Sequence, residues 1–224
     1  MTNPAPPQLI IFDCDGVLVD SELIANRVMA GVLAGMGIRI TEDDCRTRFT
    51  GISMASVRAL VEEELGGPLP DNFERLVFRA DRIAFETDLV SVPGIDAALA
   101  AMPVRVCVAS SGTPEKIANS LRVTHLAKYF ENNIFSAAMV ANGKPAPDLF
   151  LFAAKKMGVR PEHCVIIEDS ISGVRAGVSA AMRVFGFNGA SHALIDPDYG
   201  NALSKAGAET IFDDMAALPG LLGF

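Results

Sequence analysis

Four short hydrophobic stretches punctuate the chain: Leu9 to Phe12, Val104 to Ala109 with Arg105 as its one charged member, Val165 to Ile167 and Val184 to Phe187. Each is bounded by turn-forming or acidic residues. Hydrophobicity that is continuous rather than alternating predicts strands covered on both faces, as in a parallel sheet. Between them apolar residues recur at helical spacing. Ile95 to Met102 follows Pro93-Gly94. Another helix runs from Pro114 to about Val123, with Thr113 as N-cap and proline at the first position. Pro147 to Met157 stops at Gly158, and Ile171 to Met182 follows the third apolar run. This alternation predicts an α/β fold with a doubly wound, Rossmann-like parallel sheet.

Residues 21–92 follow a different pattern. Glu22 to Met36 is helical, with Leu23, Val28, Val32 and Leu33 near one face, and Ser53 to Leu65 and Asn72 to Asp88 are further helices. The breaks fall at Gly35 and Gly37, at Gly51, and in the loop Gly66-Gly67-Pro68-Leu69-Pro70. No buried-strand run separates these helices. The chain therefore divides into an α/β core, residues 1–20 and 93–224, and an inserted all-helical cap, residues 21–92. Hinges are expected near Val19-Asp20-Ser21 and from Val90 to Gly94, where the chain crosses between the two parts.

Composition narrows the partners. The 224 residues carry 27 acidic and 19 basic side chains, a formal net charge of −8. That balance argues against nucleic acid and against an anionic membrane surface, both of which are bound by surplus Lys and Arg. No stretch approaches the ~18–20 consecutive apolar residues of a membrane span. The first ten residues lack a basic segment followed by an apolar one, so no signal peptide is expected and a cytoplasmic location is. The four cysteines, Cys14, Cys45, Cys107 and Cys164, are too scattered for a zinc pattern and read as small buried hydrophobes. None of this excludes a local phosphate site.

Candidate chemistry gathers where the apolar runs end, the place where open parallel sheets bind ligands. The first run leads into Asp13-Cys14-Asp15-Gly16. A turn at Gly16 can bring both carboxylates to one site, where their repulsion calls for a metal or a shared proton. The second ends in Ser110-Ser111-Gly112-Thr113 just before a helix. This is an ordinary capping sequence, and it also suits an oxyanion. Lys144 stands in a loop stiffened by Pro145 and Pro147. The third run ends in Glu168-Asp169, adjacent acids whose burial is costly without a counter-charge; a hard cation with oxygen ligands would supply it.

Taken in order, Asp13-Cys14-Asp15-Gly16-Val17-Leu18-Val19-Asp20-Ser21-Glu22, then Ser110, Lys144 and Glu168-Asp169, resemble the four motifs of the haloacid dehalogenase-like hydrolases. The insertion falls where the helical-cap subclass carries its cap. The branch it resembles includes β-phosphoglucomutase and the sugar-phosphate phosphatases. The resemblance implies Asp13 as nucleophile and Asp15 as general acid and then base, with an Asp15 pKa above that of Asp13 once substrate is bound. It implies Ser110, Ser111, Gly112 and Lys144 as phosphate ligands. Mg²⁺ would be bound by Asp13, Asp15 (through its backbone carbonyl), Glu168 and Asp169.

The implied activity is Mg²⁺-dependent hydrolysis of a small phosphorylated metabolite by a monomer, the substrate being a sugar or sugar-acid phosphate of the 6-phosphogluconate kind. Asp15 fits phosphoryl transfer rather than dehalogenation. Residues 21–92 hold eight arginines and no lysine, so a cap Schiff base is not expected. A mutase of the β-phosphoglucomutase type is the alternative, but Ala25 stands where that enzyme has a histidine, and Thr50 and Met54 stand where it has a basic pair. A non-catalytic phosphate-binding regulator is the alternative of another class. Substrate specificity is expected from Arg48, Thr50, Gly51 and Ser53, with Arg48 as a partner for a substrate carboxylate. His125, His163 and His192 match no motif and read as structural.

Overall fold

The computed structural model describes residues 6–49, 52 and 54–224. In chain order the elements are β1 (Leu9–Phe12), α1 (Glu22–Gly35), α2 (Glu42–Phe49), α3 (Met54–Leu65), α4 (Phe73–Asp88) and α5 (Ile95–Ala100). Then come β2 (Arg105–Ser110), α6 (Pro114–Val123), β3 (Ile134–Ser136), α7 (Asp148–Met157) and β4 (Cys164–Glu168). The chain closes with α8 (Ile171–Ser179), β5 (Arg183–Phe187), α9 (Tyr199–Ala206), β6 (Thr210–Phe212) and α10 (Leu218–Leu221).

The strands form one six-stranded sheet in the order β3-β2-β1-β4-β5-β6, and every pairing is parallel. The expected doubly wound α/β sheet is what forms. All four residues of β1 are buried because neighbours cover both faces. Ile10 and Phe12 pack with Val108, Ile167 and Phe185 on one side, while Leu9 and Ile11 pack with Cys107, Ile166 and Val184 on the other. This two-faced burial explains the continuous apolar runs. The four cysteines are buried and free.

Helices α1–α4 enclose a hydrophobic cluster of their own, built on Leu33, Cys45, Phe49, Val61, Phe73 and Val77. The chain enters and leaves this insertion along adjacent segments: Val92 N donates to Leu18 O at 3.0 Å and Asp20 N to Val90 O at 3.0 Å. Three details depart from the sequence reading. Glu42–Phe49, to which the sequence reading assigned no element, is helical, Leu23 is exposed, and β3 and β6 carried no recognisable apolar run. Among the described residues, no helix is long and apolar enough to cross a membrane.

Candidate active site

Strand β1 lies between β2 and β4, and Phe12 is in register with Val108 and Ile167. The residues beyond these three carboxyl ends therefore converge where the strand order reverses. Asp13 N donates to Ile167 O at 3.0 Å, which ties the first motif to β4. Asp13 Oδ1 accepts from its neighbour's amide, Cys14 N, at 2.7 Å and lies 3.1 Å from Lys144 Nζ. The chain then turns at Gly16, whose φ of +73° suits glycine. A Cβ there would sit 1.8 Å from Asp169 Oδ2, so this position must be glycine on two counts. The turn aims Asp15 differently from Asp13. Its Oδ1 accepts from Ser21 Oγ at 2.5 Å and lies 3.0 Å from Lys116 Nζ.

Asp13, Glu168 and Asp169 are all buried, and each offers a carboxylate oxygen within 4.8 Å of the others. Glu168 is held on both oxygens: Lys144 bonds Oε1, while Ser170 N and Oγ donate to Oε2 at 3.0 and 2.9 Å. Gly173 keeps room for it, since a Cβ there would lie 1.9 Å from the carboxyl carbon. Lys144 faces Asp13 and Glu168, and His192 faces Asp169, which still leaves three buried carboxylates against one lysine and one imidazole, a setting that fits a hard divalent cation. The Asp15 carboxylate does not join this cluster. It is turned to Lys116 and Ser21, so of Asp15 only the backbone remains available to a metal.

The charges set the proton affinities. Burial, reinforced by Glu168 and Asp15, pushes the Asp13 carboxyl up to about 7 against the pull of Lys144. Burial also works to raise Asp15, but the charge of Lys116 and the bonds from Ser21 and Lys116 hold it below its ordinary value. The free site thus has the reverse of the order expected for the substrate complex. A cation on the Asp13 cluster would lower Asp13, and a phosphate dianion beside Asp15 would raise Asp15. Burial disfavours the Lys144 ammonium, yet Asp13 and Glu168 outweigh it and raise its pKa. Lys116 is raised in the same way by Asp15, Asp81 and Glu22.

At the end of β2, Ser110 is buried and its Oγ accepts from Gly112 N at 3.1 Å. Gly112 O in turn accepts from Ser136 Oγ at 2.6 Å, a bond supplied by β3. Thr113 caps α6, accepting from Lys116 N at 3.3 Å, with Pro114 at the first position as the sequence predicts. That cap fixes the first turn of α6, from which Lys116 reaches Asp15.

These groups open onto a cavity of about 490 Å³. Its floor includes Asp13, Asp15, Ser110, Ser111, Gly112, Lys144 and Asp169. Glu22, Ala25, Asn26 and Met29 from one face of α1 line it as well, with Phe49, Ile52, Met54 and Val57, and Glu74, Arg75, Val77, Phe78 and Asp81 from α4. Arg48 is not among them. It pairs with Glu64 at 2.5 Å and lies over the Phe49 ring, so the expected carboxylate partner is tied up elsewhere. Thr50, Gly51 and Ser53 lie outside the described residues.

Four residues at the site had no place in the sequence reading of its chemistry. Lys116 lies one turn into α6 after the serine motif, and its position behind a well-marked cap is the signal that could have found it. Glu22 lines the cavity, and burial with the charges of Asp15 and Asp169 pushes its carboxyl up to about 7. Asp81 lines it from α4. His192, set aside as structural, is buried with Nε2 3.1 Å from Asp169 Oδ2, while its Nδ1 has no hydrogen-bond partner among the described residues. Burial opposes its charge, but the contact with Asp169 outweighs this and raises its pKa. Nothing local in Ser191-His192-Ala193 announces that contact.

The family model for haloacid dehalogenase-like hydrolase matches residues 7–181. The 6-phosphogluconate phosphatase of Escherichia coli K12 is 33% identical over 181 residues, covering 80% of this chain and 82% of that protein. A phosphorylated carbohydrates phosphatase of Thermotoga maritima is 33% identical over 207 residues, 90% of this chain and 92% of its own. Among solved structures, a conserved haloacid dehalogenase-like protein of unknown function from Agrobacterium tumefaciens superposes with a TM-score of 0.82 at 35% identity, covering 96% of this chain and 97% of that one.

Proposed function

The chain belongs to the haloacid dehalogenase-like hydrolases as a phosphatase, and we propose that it hydrolyses a small sugar-type phosphate ester through a phosphorylated Asp13. The observation that carries this reading is the different setting of two neighbouring carboxylates. Asp13 sits among acids with Lys144, and Asp15 sits apart with Lys116 and Ser21.

Asp13 Oδ1 is held by Cys14 N and Lys144, which leaves Oδ2 to attack phosphorus. The new Asp13–phosphorus bond forms as the ester bond breaks, and Asp15 gives a proton to the departing oxygen. In the second step Asp15 takes a proton from water, the water oxygen bonds phosphorus, and Asp13 is released with inorganic phosphate. Ser110 Oγ, the amides of Ser111 and Gly112, and Lys144 hold the phosphoryl oxygens, so that charge developing on them is met by fixed donors. Asp13 and Asp169, with the Asp15 backbone and Glu168 behind them, would hold Mg²⁺, which when bound neutralises phosphate and carboxylate charge together. Residues 21–92 act as a cap over this site, moving on the paired crossings near Asp20 and Val90. Their separate hydrophobic cluster and the cavity between them and the sheet support that role.

Phosphate release from a panel of esters tests the proposal, with Mg²⁺, with chelator, and in Asp13→Asn. Release should need the cation, and the Asn variant should lose about a thousandfold or more in kcat. Full activity in that variant would sink the phospho-aspartate route. Isomerisation of a hexose 1-phosphate without phosphate release would point to a mutase instead, and binding without turnover to a regulator.

A further inference from the structure

The helical side of the cavity has a chemistry of its own. Met29, Phe49, Val57, Val77 and Phe78 give it an apolar wall. The charged groups it adds are mostly acidic: Glu22, Glu74 and Asp81, against Arg75 alone among the described residues. Arg75 is exposed. Arg48 of α2 and Arg58 of α3 do not line the cavity and are turned to acids: Arg48 to Glu64, and Arg58 to Glu62 and Glu74. A leaving group carrying a carboxylate or a second phosphate would meet no buried cation on this side.

Asp81 stands out within that wall. It is only 7% exposed, it makes no hydrogen bond or ion pair among the described residues, and its Oδ1 is buried without a donor. It lines the same cavity as Asp15 and Lys116, whose charges it feels, and so shares the space into which the departing oxygen would open. A buried acceptor left unpaired beside an apolar wall is unfavourable until a ligand supplies the donor.

Building on the phosphatase reading above, we infer that the leaving group is an uncharged, amphipathic alcohol: a hydroxyl close to the ester donates to Asp81, and an apolar face lies against Met29, Phe49 and Val77. Asp81 is then a specificity residue. A small neutral sugar or polyol derivative with deoxy or alkyl character meets these requirements, whereas a sugar-acid phosphate does not.

Two matched pairs of esters test this with Mg²⁺ present. The first sets 2-hydroxycyclohexyl phosphate against cyclohexyl phosphate, which differ only in the hydroxyl. The second sets an uncharged hexitol phosphate against 6-phosphogluconate. The hydroxylated ring should exceed its partner in kcat/KM by about tenfold or more, the scale of one hydrogen bond to a charged group. Asp81→Asn should shrink that ratio severalfold, mostly through KM, and Asp81→Ala should bring it near one. The hexitol ester should be preferred over 6-phosphogluconate. Preference for 6-phosphogluconate, or a hydroxyl ratio unmoved by either substitution, overturns the inference and leaves the phosphatase reading standing. No phosphate release from any of the four esters overturns the phosphatase reading and this inference with it.

Discussion

At the scale of single residues, the site is organised by what stands next to each carboxylate. Gly16 and Gly173 matter because Asp169 and Glu168 occupy the space that a side chain would need. Gly16→Ala adds a methyl group at positive φ against Asp169. It should lower stability by about 1–2 kcal/mol from backbone strain alone and cut kcat/KM by about a hundredfold by displacing that carboxylate; urea unfolding and steady-state kinetics measure the two effects separately. His192→Ala removes the group that faces Asp169 from behind. Activation by Mg²⁺ should then require about 10- to 100-fold more cation, and an unchanged activation curve would mean that His192 only fills space. Asp81 gives a pH signature. Burial, opposed by Lys116 and aided by Asp15, pushes its carboxyl up to about 6 from 3.8. Between those values the folded state binds the proton that the unfolded chain has lost, so stability falls as pH rises through that window and stays reduced above it. Asp81→Asn should therefore stabilise the protein at pH 7–8, by an amount on the order of 2–3 kcal/mol, with little change near pH 4. Thermal melts of both proteins across pH would show it.

At the scale of elements, the helices divide their faces between tasks. Glu22, Ala25, Asn26 and Met29 of α1 fall on the cavity, while Ala30 and Leu33 enter the cluster shared with α2–α4. The spacing of apolar positions marked α1 as a helix but not which face each would serve, and Leu23 proved exposed because Ile24 takes the buried place. Helix α2 is almost wholly polar, so periodicity could not reveal it. Its start was nonetheless written in Thr41-Glu42-Asp43-Asp44: Asp44 N donates to Thr41 Oγ1 at 3.1 Å, while Thr41 N donates back to Asp44 Oδ2 at 2.9 Å. The three-residue strands β3 and β6 lie at the two ends of the sheet, where pairing on one side needs no long apolar run. Phe73 is fully buried in the insertion cluster. Phe73→Ala should destabilise by about 3–5 kcal/mol, read as a lower denaturant midpoint, and a shift under about 1 kcal/mol would show that the cluster can collapse around the gap.

At the scale of the whole molecule, three buried carboxylates crowd one end of the sheet while the chain as a whole carries a net charge of −8. A divalent cation that binds the folded cluster and not the unfolded chain must raise stability, by about 2.7 kcal/mol at a hundredfold excess over its Kd. Melting temperature should rise on titration with MgCl₂ and fall back with chelator, and a melt indifferent to Mg²⁺ in the millimolar range would count against a cation site. The order β3-β2-β1-β4-β5-β6 makes that cluster possible, because it sets β1 between the two strands whose ends carry Ser110 and Glu168. The sequence by itself determined the α/β alternation, the helical interruption after β1, and Asp13, Asp15, Ser110, Lys144 and Glu168-Asp169 as the groups to watch. These follow from local rules: burial on both sheet faces requires continuous apolar runs, and short-range motifs carry their own geometry. Only the tertiary structure decided that Asp15 turns to Lys116 rather than to the other acids, that Arg48 is bound to Glu64, and that His192 and Asp81 belong to the site. Those outcomes depend on contacts between segments far apart in the chain, and the charge a side chain meets across such a contact is set by packing, which no local pattern encodes.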